Sequence, residues 1–112
     1  LWRLSVTPDR APEIDAAVRR AHGGRSYYDW GGGLIWYAPE EDVADAGAAV
    51  VRGAITANGG GHATLVHAPE KIRRTVEVFE PQPAPLAALS NRVKESFDPL
   101  HILNPGRMYS GV

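Results

Sequence analysis

Apolar and polar positions alternate from the start of the chain. Trp2, Leu4 and Val6 share one face and Arg3, Ser5 and Thr7 the other, which predicts a half-buried strand ended by Pro8. The period then changes. Ile14, Ala17, Val18 and Ala21 recur at i, i+3, i+4 and i+7, behind Pro12 and Glu13 in a first turn. Gly23-Gly24 stops the run, with Arg19, Arg20 and His22 near its negative end, and the whole predicts a helix. Two aromatic, β-favouring runs, SYYDW at 26–30 and LIWYA at 34–38, flank Gly31-Gly32-Gly33 and predict a hairpin. Asp42 is expected to cap a second helix running to Ala57, with Val43, Ala46, Val50 and Ala54 or Ala57 on its buried stripe. Asn58-Gly59-Gly60-Gly61 ends that helix, and residues 63–67 predict a fourth strand closed by Pro69.

The order strand, helix, strand, strand, helix, strand is the split βαβ arrangement of a ferredoxin-like α+β fold (βαββαβ), an antiparallel sheet with helices on one face. We take residues 1–69 as its core. Small residues crowd both helices (Ala16, Ala17, Ala21; Ala44, Ala46, Gly47, Ala48, Ala49), so both can lie close to the sheet. Residues 70–112 predict a C-terminal helical extension and an extended tail. A short helix at 70–74 and an extended link through Val78-Phe79 precede Pro81, Pro83 and Pro85. A longer helix at 85–96 follows, with Leu86, Leu89, Val93 and Phe97 on one stripe. A strand at 75–79 is the alternative for the link.

Composition narrows the class. A single domain of 112 residues, 44% apolar and 22% charged, has the make-up of an ordered globular protein. The formal net charge is −1 and no Lys/Arg run exceeds two, which argues against a nucleic-acid partner or an anionic-membrane patch. The chain has no cysteine, so disulfides, thiolate nucleophiles, Cys-bound zinc and a resident iron-sulfur cluster are excluded. No apolar run reaches membrane-span length and no segment reads as a signal peptide. Because position 1 is Leu and reads as mid-strand, the chain is expected to be a fragment of a longer protein.

Candidate chemistry is sparse. His22, His62, His67 and His101 show no metal-ligand spacing, and His62 and His67 would face opposite sides of a strand, so no metal site is expected. Neither a nucleophile elbow nor a P-loop is present. The triplet Gly31-Gly32-Gly33 reads as a hairpin loop or as a close approach to a phosphate. Gly59-Gly60-Gly61 reads as a helix C-cap or as a backbone approach to a ligand beside His62. Among Trp2, Tyr27, Tyr28, Trp30, Trp36 and Tyr37, alternation sends about half to the sheet face away from the helices. Such a face calls for a ligand or a partner. It lacks the basic-aromatic signature of an RNA-recognition sheet, and another domain of the same chain is the expected cover.

The last residues, FDPLHILNPGRMYSGV at 97–112, carry two breakers, Asp98-Pro99 and Asn104-Pro105-Gly106, around Ile102-Leu103. This prescribes a path rather than a loose end, with Ile102 and Leu103 able to anchor in an apolar groove. Asn104, expected extended ahead of Pro105, offers an amide with donors and acceptors. Gly106 permits close backbone approach, and Arg107 supplies charge. A tight turn and a solvated arginine would account for the same residues.

The pattern FDP..ILNPG(R/K)M resembles the C-terminal end of FAD-linked oxidases of the vanillyl-alcohol-oxidase type. Together with GGGLIW, GGGHATL, VFEPQP, KESFDPLHILNPGRM and the opening LWRLSVTP, the likeness covers nearly the whole chain and narrows to the E-subunit type of bacterial glycolate oxidase. That resemblance implies a C-terminal cap on a longer FAD-dependent 2-hydroxy acid oxidoreductase, with FAD held mainly by an upstream FAD-binding domain absent from this fragment. It implies cofactor contacts at Asn104, Gly106 and Arg107, and a substrate pocket with His62, Trp30 and Trp36. Catalytic residues stay unassigned, and the isolated fragment is expected to be inactive. Implied partners are the upstream domain, a homologous flavoprotein subunit and an iron-sulfur subunit, in a cytoplasmic complex or one peripheral at the inner membrane face through those subunits. Which of the two flavoprotein subunits performs the primary oxidation stays open. The reading of another class is a stand-alone ferredoxin-like small-ligand-binding or subunit-interface module without a redox role.

Overall fold

A computed structural model describes residues 1–40 and 42–112. The chain divides into two compact units, Leu1–Glu80 and Pro81–Val112.

In the first unit, strand β1 (Trp2–Val6) leads through a 3₁₀ turn at Pro8–Arg10 into helix α1 (Ala11–His22). Strands β2 (Arg25–Asp29) and β3 (Leu34–Ala38) form the expected hairpin. Helix α2 (Ala48–Ala57), strand β4 (Gly61–Leu65) and the one-turn helix α3 (Glu70–Arg73) follow. The sheet order is β2-β3-β1-β4 with every neighbour antiparallel. Strand β1 therefore sits one strand away from β2, the split βαβ arrangement expected from the element order.

Alternation decides what is buried. Trp2, Leu4 and Val6 pack with Ile35, Tyr37, Ala63 and Leu65 against Ala11, Ile14 and Val18 of α1 and Ala48, Val51, Ala54 and Ile55 of α2. Both helices thus cover one face of the sheet. Trp2 is fully buried, and its indole N–H donates to the Ala46 carbonyl at 2.7 Å. The Tyr37 hydroxyl lies 3.2 Å from the Val18 carbonyl and 3.0 Å from that of Gly23, tying β3 to the end of α1.

Helix α2 starts later than Asp42. Ala46 and Gly47 have φ of 54° and 78°, a left-handed pair that no helix can run through. Asp45 does the capping instead. Its carboxylate accepts from the Gly47 N–H at 2.8 Å and the Ala49 N–H at 3.0 Å. The bond from Ala49 is the main reason its carboxyl is held below the usual carboxylate range. The later start also moves the buried stripe to Ala48, Val51, Ala54 and Ile55.

Segment 77–80 is neither helix nor strand: the chain bends at Val78 and Phe79, where an extended link or a strand was expected. Leu65 N–H donates to the Val78 carbonyl at 2.7 Å and Ala63 N–H to a Glu80 carboxylate oxygen at 2.9 Å, so the segment covers the outer edge of β4. Arg52 fixes it from α2. Its guanidinium lies 5.4 Å from the Trp2 ring centroid and donates to the carbonyls of Glu77 and Phe79.

The second unit is helix α4 (Ala84–Phe97) with the tail after it. No residue of α4 is buried. Leu86, Leu89, Val93 and Phe97, the expected stripe, are all exposed. No helix among the described residues is long and apolar enough to cross a membrane.

Candidate functional site

The face of the sheet away from the helices is open, and strand register states what it carries. Tyr27, Trp36, Arg3 and Thr64 stand in one row across the four strands, and Asp29, Leu34, Ser5 and His62 in the next. Neighbours within a row are about 4.5–5.5 Å apart between Cβ atoms. His62 and Trp36, both singled out in the sequence, therefore share this face with β1 between them. Tyr28, Trp2 and Tyr37 are on the opposite side, so alternation divided the aromatics as expected.

Both glycine triplets lie at one end of this sheet. Gly33 accepts from Val6 N–H at 3.0 Å, while Gly61 is the register partner of Val6 on its other side. The hairpin tip and the start of β4 thus flank the end of β1. Trp30 occupies that tip with φ of 52°, 82% exposed, its N–H bound to the Asp29 carboxylate at 2.8 Å. A bulky residue held in the left-handed region costs roughly 1–2 kcal/mol, so the exposed indole is placed there against its backbone preference. Gly61 has the opposite justification: at φ 150°, a Cβ there would sit 2.4 Å from the Ser5 carbonyl oxygen. It is a steric requirement of the β1–β4 pairing that puts His62 opposite Ser5.

In the second unit the tail is organised by Asp98, which the sequence reading treated only as a breaker. Its carboxylate accepts from the N–H groups of Ile102 (3.0 Å) and Leu103 (2.9 Å) and pairs with Lys94 at 2.7 Å. Lys94 also donates to the Leu103 carbonyl. The signal was present: an Asp before Pro, with a Lys one helical turn earlier and free backbone donors just after. Asn104 is not extended. Its φ is 47°, the left-handed region that Asn tolerates, and its carbonyl accepts from Arg107 N–H at 3.3 Å in a tight turn. Gly106, at φ 69°, has open space where a Cβ would be. Among the described residues the Asn104 amide and the Arg107 guanidinium have no hydrogen bond or ion pair.

The pair with Lys94 first, and the two backbone bonds besides, hold the Asp98 carboxyl at about 2. A depressed folded value stabilises the turn above the unfolded pKa of about 3.9, and that contribution is lost as pH falls through the folded value. The Asp98 carboxyl carbon shift in an NMR titration is expected to have its midpoint near 2. Lys94→Met should move that midpoint up toward about 3.9, the ordinary aspartate value. An ordinary midpoint in the unaltered chain would show that the turn does not form.

No group of three or more His, Asp or Glu among the described residues is arranged to hold a metal ion. The chain is similar to a glycolate oxidase subunit. It is 34% identical over 110 residues to glycolate oxidase subunit GlcE of Escherichia coli (strain K12), a match covering 98% of this chain and 26% of that protein. The likeness to the E-subunit type expected from the glycine motifs and the tail is therefore borne out, and the chain spans about a quarter of the length of GlcE. No protein-family model matches the chain, and no solved structure does.

Proposed function

We propose that this chain is the C-terminal part of an FAD-binding subunit of a glycolate (2-hydroxy acid) oxidase complex, capping the flavin and contributing to the substrate pocket and to subunit contacts. The likeness to GlcE along nearly all of the chain carries the reading. Two surfaces support it: the open aromatic sheet face, and the α4 stripe of Leu86, Leu89, Val93 and Phe97, which stays exposed. Exposed apolar area of this kind calls for a ligand, another domain or a subunit to cover it. In this reading that cover is the upstream FAD-binding domain, with a homologous flavoprotein subunit and an iron-sulfur subunit beyond it.

The tail fits one part of the cofactor. A flavin's pyrimidine edge carries both donors and acceptors, and the unengaged Asn104 amide matches that set. The space around Gly106 leaves room for a ring edge, and Arg107 brings positive charge. Bound FAD supplies the redox chemistry, accepting the hydride equivalent of the substrate. This chain's residues orient and enclose. Asp98 and Lys94 hold the tail turn, Trp30 and Trp36 exclude water, and His62 presents an imidazole to the pocket. The pyrophosphate and adenine are held by the upstream domain.

The visible absorption spectrum of the intact polypeptide tests this. A flavin band bleached by a small 2-hydroxy acid is expected. Asn104→Ala combined with Arg107→Ala should lower FAD retention or slow flavin reduction by about tenfold while circular dichroism is unchanged, the scale of losing one or two polar contacts. A colourless, folded protein that takes up no added FAD would overturn the reading in favour of a binding or assembly module.

A further inference from the structure

The charge on the open sheet face is lopsided. Arg3 is on the central strand β1 and Arg25 on the edge strand β2, and among the described strand residues the face has one carboxylate, Asp29, already bound to the Trp30 N–H. The chain as a whole carries a formal charge of −1, so the excess of arginine here is local. Arg3 stands between Trp36 and Thr64 in its row, and His62 is diagonal to it beyond Ser5. Among the described residues Arg3 makes no hydrogen bond and no ion pair, unlike Arg19, Arg52 and Arg74, which all have carboxylate partners.

That isolation has an energetic consequence once the face is covered. A guanidinium at the middle of a covered aromatic sheet face loses water, and burying it unpaired is strongly unfavourable. Whatever occupies the face must therefore bring an anion to Arg3. The fork of guanidinium donors matches a carboxylate in two parallel bonds, which fixes orientation as well as position. Trp36 beside it is a flat apolar wall. The Thr64 and Ser5 hydroxyls and the His62 imidazole are the polar groups nearest it on β1 and β4.

We propose that Arg3 anchors the carboxylate of the small 2-hydroxy acid, with Trp36 as the wall and His62 on the side of the substrate hydroxyl. This rests on the oxidase-cap reading and assigns its substrate-binding cation to a residue on β1. Arg3 is a binding and specificity residue; it does not take part in the redox step.

The test is steady-state kinetics and flavin content of the intact complex carrying Arg3→Gln, with glycolate as the probe. KM is expected to rise about 10- to 100-fold, the scale of a lost charge-assisted pair. The kcat should stay within a few-fold, the flavin absorbance should be unchanged, and Arg3→Lys should recover part of the loss. An unchanged KM with lower thermal stability would overturn the proposal, because Arg3 would then pair with an acidic side chain of the covering domain. A fall in FAD content would also overturn it, assigning the anion to the cofactor. In both cases the unaltered protein still carries flavin, which separates these failures from failure of the oxidase reading itself, where the unaltered protein is colourless.

Discussion

Replacing Trp2 by Ala is expected to cost about 3–5 kcal/mol, the largest single-residue effect in the first unit. Trp2 is the largest fully buried side chain, opposite Tyr37 on one neighbouring strand and Leu65 on the other. Three losses coincide. The indole volume becomes a cavity between sheet and helices. The Ala46 carbonyl loses its donor, and the Arg52 guanidinium loses the ring beneath it. The last two matter because Ala46 belongs to the left-handed turn before α2, and Arg52 fixes segment 77–80 over the edge of β4. One substitution therefore loosens the start of a helix and the cover of a strand edge together. Small domains are stable by about 5–15 kcal/mol, so the variant should be close to unfolding at room temperature. Trp2→Phe keeps most of the apolar area and loses the N–H bond, at about 1–3 kcal/mol. Urea unfolding followed by circular dichroism gives both values. A midpoint for Trp2→Ala equal to that of Trp2→Phe would show that the indole N–H, not the packing, is what the core needs.

Strand β1 and the hairpin were legible in the sequence because their signals are local: period-two alternation, β-branched and aromatic residues, and glycines at the bend. Helix α1 was legible for the same reason, with Pro and acid at one end and Gly at the other. The start of α2 was not. Ala44, Ala46, Ala48 and Ala49 all favour helix, and that propensity masks a turn whose geometry depends on Gly47 and on Asp45 reaching two backbone donors. The role of segment 77–80 was hidden because its partners come from Arg52 and β4, far away in sequence. The open face was half legible. Alternation assigns Trp36 and His62 to sides of their strands, but register alone brings Arg3 between Trp36 and Thr64. Asn104 failed for a simple reason: the bias before proline is toward extended backbone, and Asn is the side chain best able to override it.

Gly61→Ala is expected to cost upwards of about 3 kcal/mol, whereas Gly59→Ala and Gly60→Ala should each cost about 1–2 kcal/mol. All three glycines have positive φ, at 94°, 85° and 150° in chain order, so each alanine pays for its backbone. Only Gly61 adds a collision. Its Cβ would lie 2.4 Å from the Ser5 carbonyl oxygen and 3.3 Å from Ile55 Cγ2 and Val6 Cγ1, while the other two have nothing within 4 Å. The Ser5 oxygen belongs to the central strand and cannot swing aside as a flexible side chain would. Relief must come from β4 moving away from β1, which carries His62 out of register with Ser5. Stability and the open face should therefore fail together in Gly61→Ala. The same series decides what the triplet is for. If Gly59 and Gly60 only end α2, their alanine variants in the intact flavoprotein should lose a little stability and keep glycolate KM and flavin content. If the loop closes on a ligand, those variants should lose binding by about tenfold or more on top of the same small stability cost, since the open space now around them is where the ligand would lie. Thermal melts and flavin absorbance on the three variants, measured side by side, separate a steric glycine from a ligand-facing one within a single tripeptide.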